Sequence, residues 1–419
     1  MPTIHPLRQL RFAEILQTND VVAWPQGPGE PLALTEALVA QGHELQNPAL
    51  LFGLTASNTL QPALTKHFRL KALNGAGNSR KVTAYAEILP CHVSSLPGLL
   101  RAGDLAANVV LIQVRPLSRG LYTLGVIADF TQELIRQARL VVALLNPALP
   151  ATAGDAVVRE DDIDLLVEAD HRLLDMPDPE PSDIERLVAR RVAELVPDRA
   201  TVQLGIGTLP AAVAAALSNH RQLGVHSGVV SDALVTLVER GVVTNAHKGR
   251  DSGRTVTGGL FGTQRLRDFA ERNRCVEMRS VEYTHNHVIT ASLLRFHAIN
   301  SAIEIDLTGQ ANAEIAGNRY LGAVGGQVDF VRGGNSSFNG HSIMALPSAT
   351  PNGEHSRIVS SLSSRPVTTT RSDADIVVTE YGVARLRGCS LGERARRLAA
   401  IAHPAHQEAL LRDLHDARF

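Results

Sequence analysis

The sequence predicts an α/β protein with largely parallel sheets, and three observations carry that prediction. Short runs rich in Val and Ile recur along the chain at 21–24, 109–114, 141–145, 202–204 and 376–379. Between them lie Leu- and Ala-rich stretches of helical length, among them 32–40, 211–217 and 234–239. Strand runs alternating with helical ones imply βαβ units. The strand runs are also nearly continuous in apolar residues rather than alternating, as expected of strands buried on both faces.

The 419 residues are long enough for two or three domains. The best linker is the segment 175–183 (DMPDPEPSD), with prolines at 177, 179 and 181 and acidic residues at 175, 178, 180 and 183. Such a stretch sustains neither a helix nor a central strand. A helix is expected to restart at Ser182 or Asp183, with Glu185 supplying first-turn negative charge. The expected domains are therefore 1–178 and 179–419. A weak internal repeat agrees. Segment 21–38 (VVAWPQGPGEPLALTEAL) and segment 201–217 (TVQLGIGTLPAAVAAAL) both read as strand, Gly-x-Gly turn, proline and helix. Two halves with the same entrance suggest a duplicated unit.

Composition narrows the function classes. Lys and Arg number 41 against 42 for Asp and Glu, a net charge of −1, and aromatic residues are only 4%. A chain without basic excess or abundant stacking rings is a poor nucleic-acid binder. Cys91, Cys275 and Cys389 form no CxxC pair, which suits a reducing compartment. The first sixteen residues lack the apolar core of a signal peptide, and the longest apolar runs, such as 105–114, are half a membrane span. A soluble cytoplasmic protein is expected. The sixteen histidines show neither HxxxH nor HExxH spacing. His285 and His287 could share one strand face, but two ligands make no zinc site, so no metal is expected.

Several loops could hold a ligand. In 203–210 (QLGIGTLP) the glycines allow a sharp turn and close backbone approach, and the following helix start offers free amides to an anion. It is neither GxGxxG nor a Walker loop. Segment 322–341 is so rich in glycine that a functional loop is expected there, rather than a packed helix, with Asp329 and Arg332 paired. Glu304 and Asp306 share a strand face and could do acid–base work, although solvated edge acids are an equally simple reading. Glu380 follows an apolar strand, at the end where open α/β sheets place ligands, with Arg385 or Arg387 as candidate ion-pair partners.

The ordered set of segments 203–210, 223–232 (LGVHSGVVSD), 241–245 (GVVTN), 300–310 (NSAIEIDLTGQ), 325–330 (GGQVDF), 356–359 (SRIV) and 379–388 (TEYGVARLRG) resembles the acetyl-CoA hydrolase/transferase family, which includes 4-hydroxybutyrate and acetate CoA-transferases. Segments 29–38, 92–97, 112–116 and Gly154-Asp155 extend the resemblance over nearly the whole chain. It implies two similar α/β domains with the active site in the cleft between them, coenzyme A as substrate, a carboxylate acceptor, no metal, and a homodimer. It places Gln203, Leu204, Gly205, Ile206 and Gly207, with Gly325 and Gly326, against coenzyme A.

Transferases of this kind use a glutamate nucleophile that passes through a mixed anhydride to a glutamyl-CoA thioester. In the family pattern LGIHTEM the glutamate follows a His-Thr or His-Ser pair. Here the pair is His226-Ser227 and the next residue is Gly228. Three readings follow. The first is an enzyme that cleaves an acyl-CoA thioester by hydrolysis or direct transfer, with a water near Gly228 oriented by His226, Ser227, Glu30 or Glu380. A carboxylate at Glu30 or Glu380 could instead replace the nucleophile. Or the chain could bind coenzyme A without chemistry, as a sensor or partner subunit.

Overall fold

The computed structural model describes residues 4–170 and 172–416. They form two compact units. One comprises the residues up to Pro177 with Val256–Thr284 and Arg319–Gly325; the other comprises Asp178–Thr255, His285–Asn318 and the chain from Gly326 on. Two segments of the later half of the sequence thus belong with the earlier half.

The first unit is built on a parallel sheet. Its strands are β1 (Ile4–Pro6), β2 (Val21–Ala23), β3 (Ala49–Phe52), β4 (Arg69–Ala72), β5 (Glu87–Ile88), β6 (Val109–Pro116), β7 (Leu140–Leu145) and β8 (Leu165–Glu168). They lie in the order β1-β8-β7-β6-β2-β3-β4-β5, and each neighbouring pair is parallel. Every residue of β2 and β3 is buried, as the continuous apolar runs require of a sheet covered on both faces. The core gathers Val22, Trp24, Leu50, Phe52, Phe68, Val109 and Leu111, with Trp24 and Phe52 stacked at 6.5 Å. Helix α1 (Leu32–Ala40) follows β2 through a short turn over Gly27–Gly29.

The second unit repeats the plan. Its strands are β9 (Thr201–Leu204), β10 (Gly224–Ser227), β11 (Phe296–Ser301), β12 (His341–Ala345), β13 (Ile376–Thr379) and β14 (Gly382–Arg385). The order runs β14-β13-β12-β11-β9-β10, parallel throughout except for the hairpin of β13 and β14. Five strands match between the units. The order β8-β7-β6-β2-β3 in one and β13-β12-β11-β9-β10 in the other is the same winding, fifth, fourth, third, first, second. The repeat suspected from two Gly-x-Gly segments is therefore a repeat of topology, with β2 and β9 as equivalent first strands.

Helix α2 (Asp183–Leu195) begins where the sequence places it. Ser182 is its N-cap, and Ser182 and Glu185 form a reciprocal capping box. Helices α3 (Thr208–Ala216) and α4 (Asp232–Glu239) follow β9 and β10, α5 spans His287–Ser292, and α6 spans Gln327–Ser336. Helix α6 corrects an expectation: glycine richness does not keep this segment in a loop. Gly333 and Gly334 serve close packing instead. A β-carbon on Gly333 would stand 2.3 Å from Thr290 Oγ1 in α5, and one on Gly334 only 2.6 Å from the His341 carbonyl oxygen. The helix tolerates two glycines because the missing side chains let it lie directly on its neighbours. Among the described residues no helix is long and apolar enough to cross a membrane.

Candidate functional site

In the second unit the site-forming residues gather at the carboxyl ends of parallel strands, where open α/β sheets bind ligands. β9 ends at Leu204, and Gly205, Ile206 and Gly207 turn the chain into α3. Gly207, at φ +117°, is the N-cap, a conformation that L side chains rarely adopt. Gly205 is different: a β-carbon there would find its nearest neighbour, Pro210 Cγ, 3.7 Å away. The turn is thus open on the Gly205 side. Gln203 faces the next strand, where its side-chain amide meets that of Asn300 at 3.2 Å.

β10 leads to the second turn. Successive side chains alternate across a strand. Val225 and Ser227 face an apolar cleft also lined by Leu204, Gly205, Pro210 and Val230. His226 faces the opposite side, fully buried and edge-on to Phe296, with ring centroids 6.2 Å apart. Ser227 Oγ donates to the Leu204 carbonyl at 2.8 Å and so ties the second turn to the first. Asp178 closes the far side of the cleft, accepting from Ser231 Oγ and the Ala233 amide at the start of α4. Burial pushes the Asp178 carboxyl up.

Gly228 comes directly after Ser227, and the space its side chain would enter is filled. A β-carbon on Gly228 would stand 2.8 Å from His285 Cε1 and 3.0 Å from His285 Nε2. The same ring is held from the other side. A β-carbon on Gly326, the N-cap of α6, would stand 2.3 Å from His285 Nε2. The imidazole also lies against Phe330, with ring centroids 4.4 Å apart. Buried in this sandwich, His285 has its pKa lowered to about 3 by loss of hydration. His285 and His287 lie on no strand. His285 occupies the turn before α5 and His287 is the first residue of that helix, so the idea of a shared strand face is corrected. The imidazole lies where a side chain on Gly228 would begin.

The remaining candidates have local duties. Glu30, in the first unit, is 1% exposed and accepts from Thr35 Oγ1 at 2.9 Å, Thr55 Oγ1 at 2.5 Å and Ser57 Oγ at 2.9 Å. Burial pushes its carboxyl up, against the pull of these hydroxyls. Glu380, in the second unit, accepts from the Ser348 amide at 2.9 Å and Ser348 Oγ at 2.6 Å, anchoring the loop after β12. Its partner is thus Ser348 rather than the expected arginine, and Arg387 pairs with Asp375 at 3.1 Å. Asp306 is a turn clamp, accepting from Thr308 and Gln310, and Glu304 accepts from Asn312. Arg332 pairs with Asp373 rather than Asp329. Gly325, at φ +57°, belongs to the first unit, where its carbonyl accepts from the Val93 amide at 3.0 Å. The cysteines are free thiols; Cys275 is exposed, Cys91 and Cys389 are half-buried, and burial pushes the Cys91 thiol up.

Comparison with known proteins decides the family. Residues 9–176 match the acetyl-CoA hydrolase/transferase N-terminal domain and residues 262–414 the C-terminal domain. The chain belongs to the acetyl-CoA hydrolase/transferase family. It is 38% identical over 407 residues to 4-hydroxybutyrate coenzyme A transferase of Clostridium kluyveri, covering 95% of this chain and 94% of that one. The crystal structure of RipA from Yersinia pestis superposes with a TM-score of 0.90 at 29% identity, covering 99% of this chain and 97% of RipA. That of 4-hydroxybutyrate CoA-transferase from Porphyromonas gingivalis does so at 0.83 and 31% identity, with the same coverage. The family member described here is an acyl-CoA hydrolase or CoA-transferase.

His285 is the site residue that sequence reasoning missed in this role. Its side chain meets Gly228 only through the fold, and no spacing rule connects the two positions.

Two measurements follow. Gly228→Ala forces a β-carbon into the imidazole and should cost about 1–3 kcal/mol in urea unfolding, as overpacking does. The same change should be nearly neutral in a His285→Ala background, and an equal cost in both backgrounds contradicts the contact. For Glu30 the folded-state pKa is raised, so its contribution to stability is fully present below 4.5 and is lost as pH rises through the folded value. Relative to Glu30→Gln, the parent protein should therefore lose stability as pH rises above 4.5, read by unfolding both proteins over a pH series from below that value upward.

Proposed function

We propose that this chain cleaves the thioester of an acyl-CoA without passing through a glutamyl-CoA intermediate, by hydrolysis or by direct transfer to a bound carboxylate. The observation that carries this is the filling of the Gly228 side-chain space by the His285 ring. Gly228 is the position that the resemblance gives to the nucleophile, and a carboxylate grown from its α-carbon would run into the imidazole. Glu30 and Glu380 make poor replacements. Each already accepts hydrogen bonds from its own surroundings, and a carboxylate so engaged is held away from attack on a carbonyl.

Coenzyme A fits the same region in this proposal. The open side of Gly205 admits a close backbone approach, and the start of α3 offers free amides to the thioester oxygen as negative charge builds on it. Gln203, Leu204, Ile206 and Gly207 shape that turn, and Gly325 and Gly326 are the further contacts. His226 and Ser227 act here by fixing the ends of β9 and β10. A cytoplasmic homodimer completes the proposal, and light scattering on the purified protein tests the assembly.

Borohydride or hydroxylamine treatment after incubation with acyl-CoA should leave every carboxylate peptide unmodified by mass spectrometry. Parallel lines in a double-reciprocal plot with two substrates, or a modified glutamate, would falsify the proposal. Gly205→Ala gives a second check. The added methyl fits the unliganded protein, so the melting temperature should hold. Affinity for coenzyme A by calorimetry should weaken about tenfold, or about 1.4 kcal/mol. An unchanged affinity places the coenzyme elsewhere.

A further inference from the structure

We propose that the apolar cleft between α3 and α4 is the acyl pocket, and that it selects short, uncharged acyl chains about four carbons long. The inference rests on the function proposed above and adds to it the class of acyl group. The cleft lies wholly within the second unit. Its floor, at Val202, Ala214 and Leu237, is buried. Its rim, at Gly205, Pro210 and Ala211, is half-buried. The cleft is therefore a slot that opens at the turn after β9.

The mouth of the slot stands where the proposed function puts the thioester. A β-carbon on Gly205 would meet Pro210 Cγ first, 3.7 Å away, and both residues line the slot. A carbonyl oxygen held by the free amides at the start of α3 then leaves its acyl tail a path inward between the two helices. Small residues keep that path open. Ala211 and Ala214 are three apart on α3 and so share a face, while Ala233 stands at the start of α4. Gaps larger than a water are few in a folded interior, so a slot held open by three alanines beside the reaction site is a feature to account for.

Size and lining set the class of chain. The cavity volume is about 40 Å³. A water-sized group needs roughly 10–15 Å³, so the slot takes about three of them, the number of carbons beyond the carbonyl of a butyryl chain. Val202, Leu204, Val225 and Val230 give it apolar walls. Among its described lining residues Asp178 is the only ionisable one. An acyl chain ending in a carboxylate would lose its hydration there without gaining a cation, and would face a group of its own sign. An alkyl chain loses nothing and gains the burial of each methylene.

The test measures binding of coenzyme A and its uncleavable S-ethyl, S-butyl and S-hexyl thioethers to the full chain by calorimetry. Thiol release from acetyl-, butyryl-, hexanoyl- and succinyl-CoA is followed alongside. Each methylene added up to S-butyl should tighten Kd about fourfold, as burial of that group does, and S-hexyl should gain nothing further. In turnover, kcat/KM should peak at butyryl-CoA and be about 100-fold lower for succinyl-CoA. Ala214→Leu, which fills the slot, should erase the gain from S-ethyl to S-butyl. Val230→Ala, which enlarges it, should move the optimum to S-hexyl, and it carries the test if the leucine variant does not fold. Equal affinity for all the thioethers overturns the inference. So does a butyl gain that survives Ala214→Leu in a folded protein, an optimum unmoved by Val230→Ala, or succinyl-CoA cleaved as well as butyryl-CoA. The function on which the inference rests fails in a different way, by a glutamyl adduct or by no thioester being cleaved while the gain from the alkyl chain persists.

Discussion

A single ring held between two glycines organises this site. The His285 imidazole fits only because positions 228 and 326 carry no side chain, and each glycine is required by the same ring. Folded interiors are close-packed, so a β-carbon at either position forces the ring to shift. The identity of the residue after Ser227 is therefore set as much by the ring behind it as by the chemistry in front of it. The rest of the local architecture serves that fit. β10 delivers Gly228, the start of α6 delivers Gly326, and the turn before α5 delivers the imidazole.

The scaffold explains how such distant segments converge. In both units five parallel strands run in one winding order, and the first strand lies beside both the second and the third. The turns that leave the first two strands of the second unit are then neighbours, fastened by the hydrogen bond from Ser227 Oγ to the Leu204 carbonyl. Polar side chains elsewhere hold loops and caps in place. Asp306 clamps a turn, Glu380 anchors a loop, and Ser182 with Glu185 starts a helix. Carboxylates that look chemically suggestive in sequence are, in three dimensions, acceptors for nearby amides and hydroxyls.

Much of the fold is legible in the sequence because it is written in local patterns. Continuous Val and Ile runs mark buried parallel strands, Pro177, Pro179 and Pro181 mark the break, and Ser182 with Glu185 marks a helix start. The glycine-rich segment at 322–341 is misread because glycine has two uses. It loosens a loop, but it also lets a helix lie against its neighbours, and only the partners of Gly333 and Gly334 tell these apart. The site divides in the same way. The turn at 205–207 and the gap at Gly228 are visible as motifs, whereas what fills the gap is a matter of tertiary contact. His285 stands two residues before His287 in the sequence, a pair too small for a zinc site, and its neighbours in space are two glycines and a phenylalanine.

The sandwich also makes residues 228 and 285 a single unit for inheritance. Energetic effects at two touching positions do not add. A chain carrying this ring and a glutamate after Ser227 would have both groups contending for one volume, and losing the ring alone would leave a hollow beside Gly228. A carboxylate at 228 and the present imidazole thus exclude each other, and exchange of one for the other requires paired replacement. A protein arranged in this way is held to its chemistry by steric occupancy.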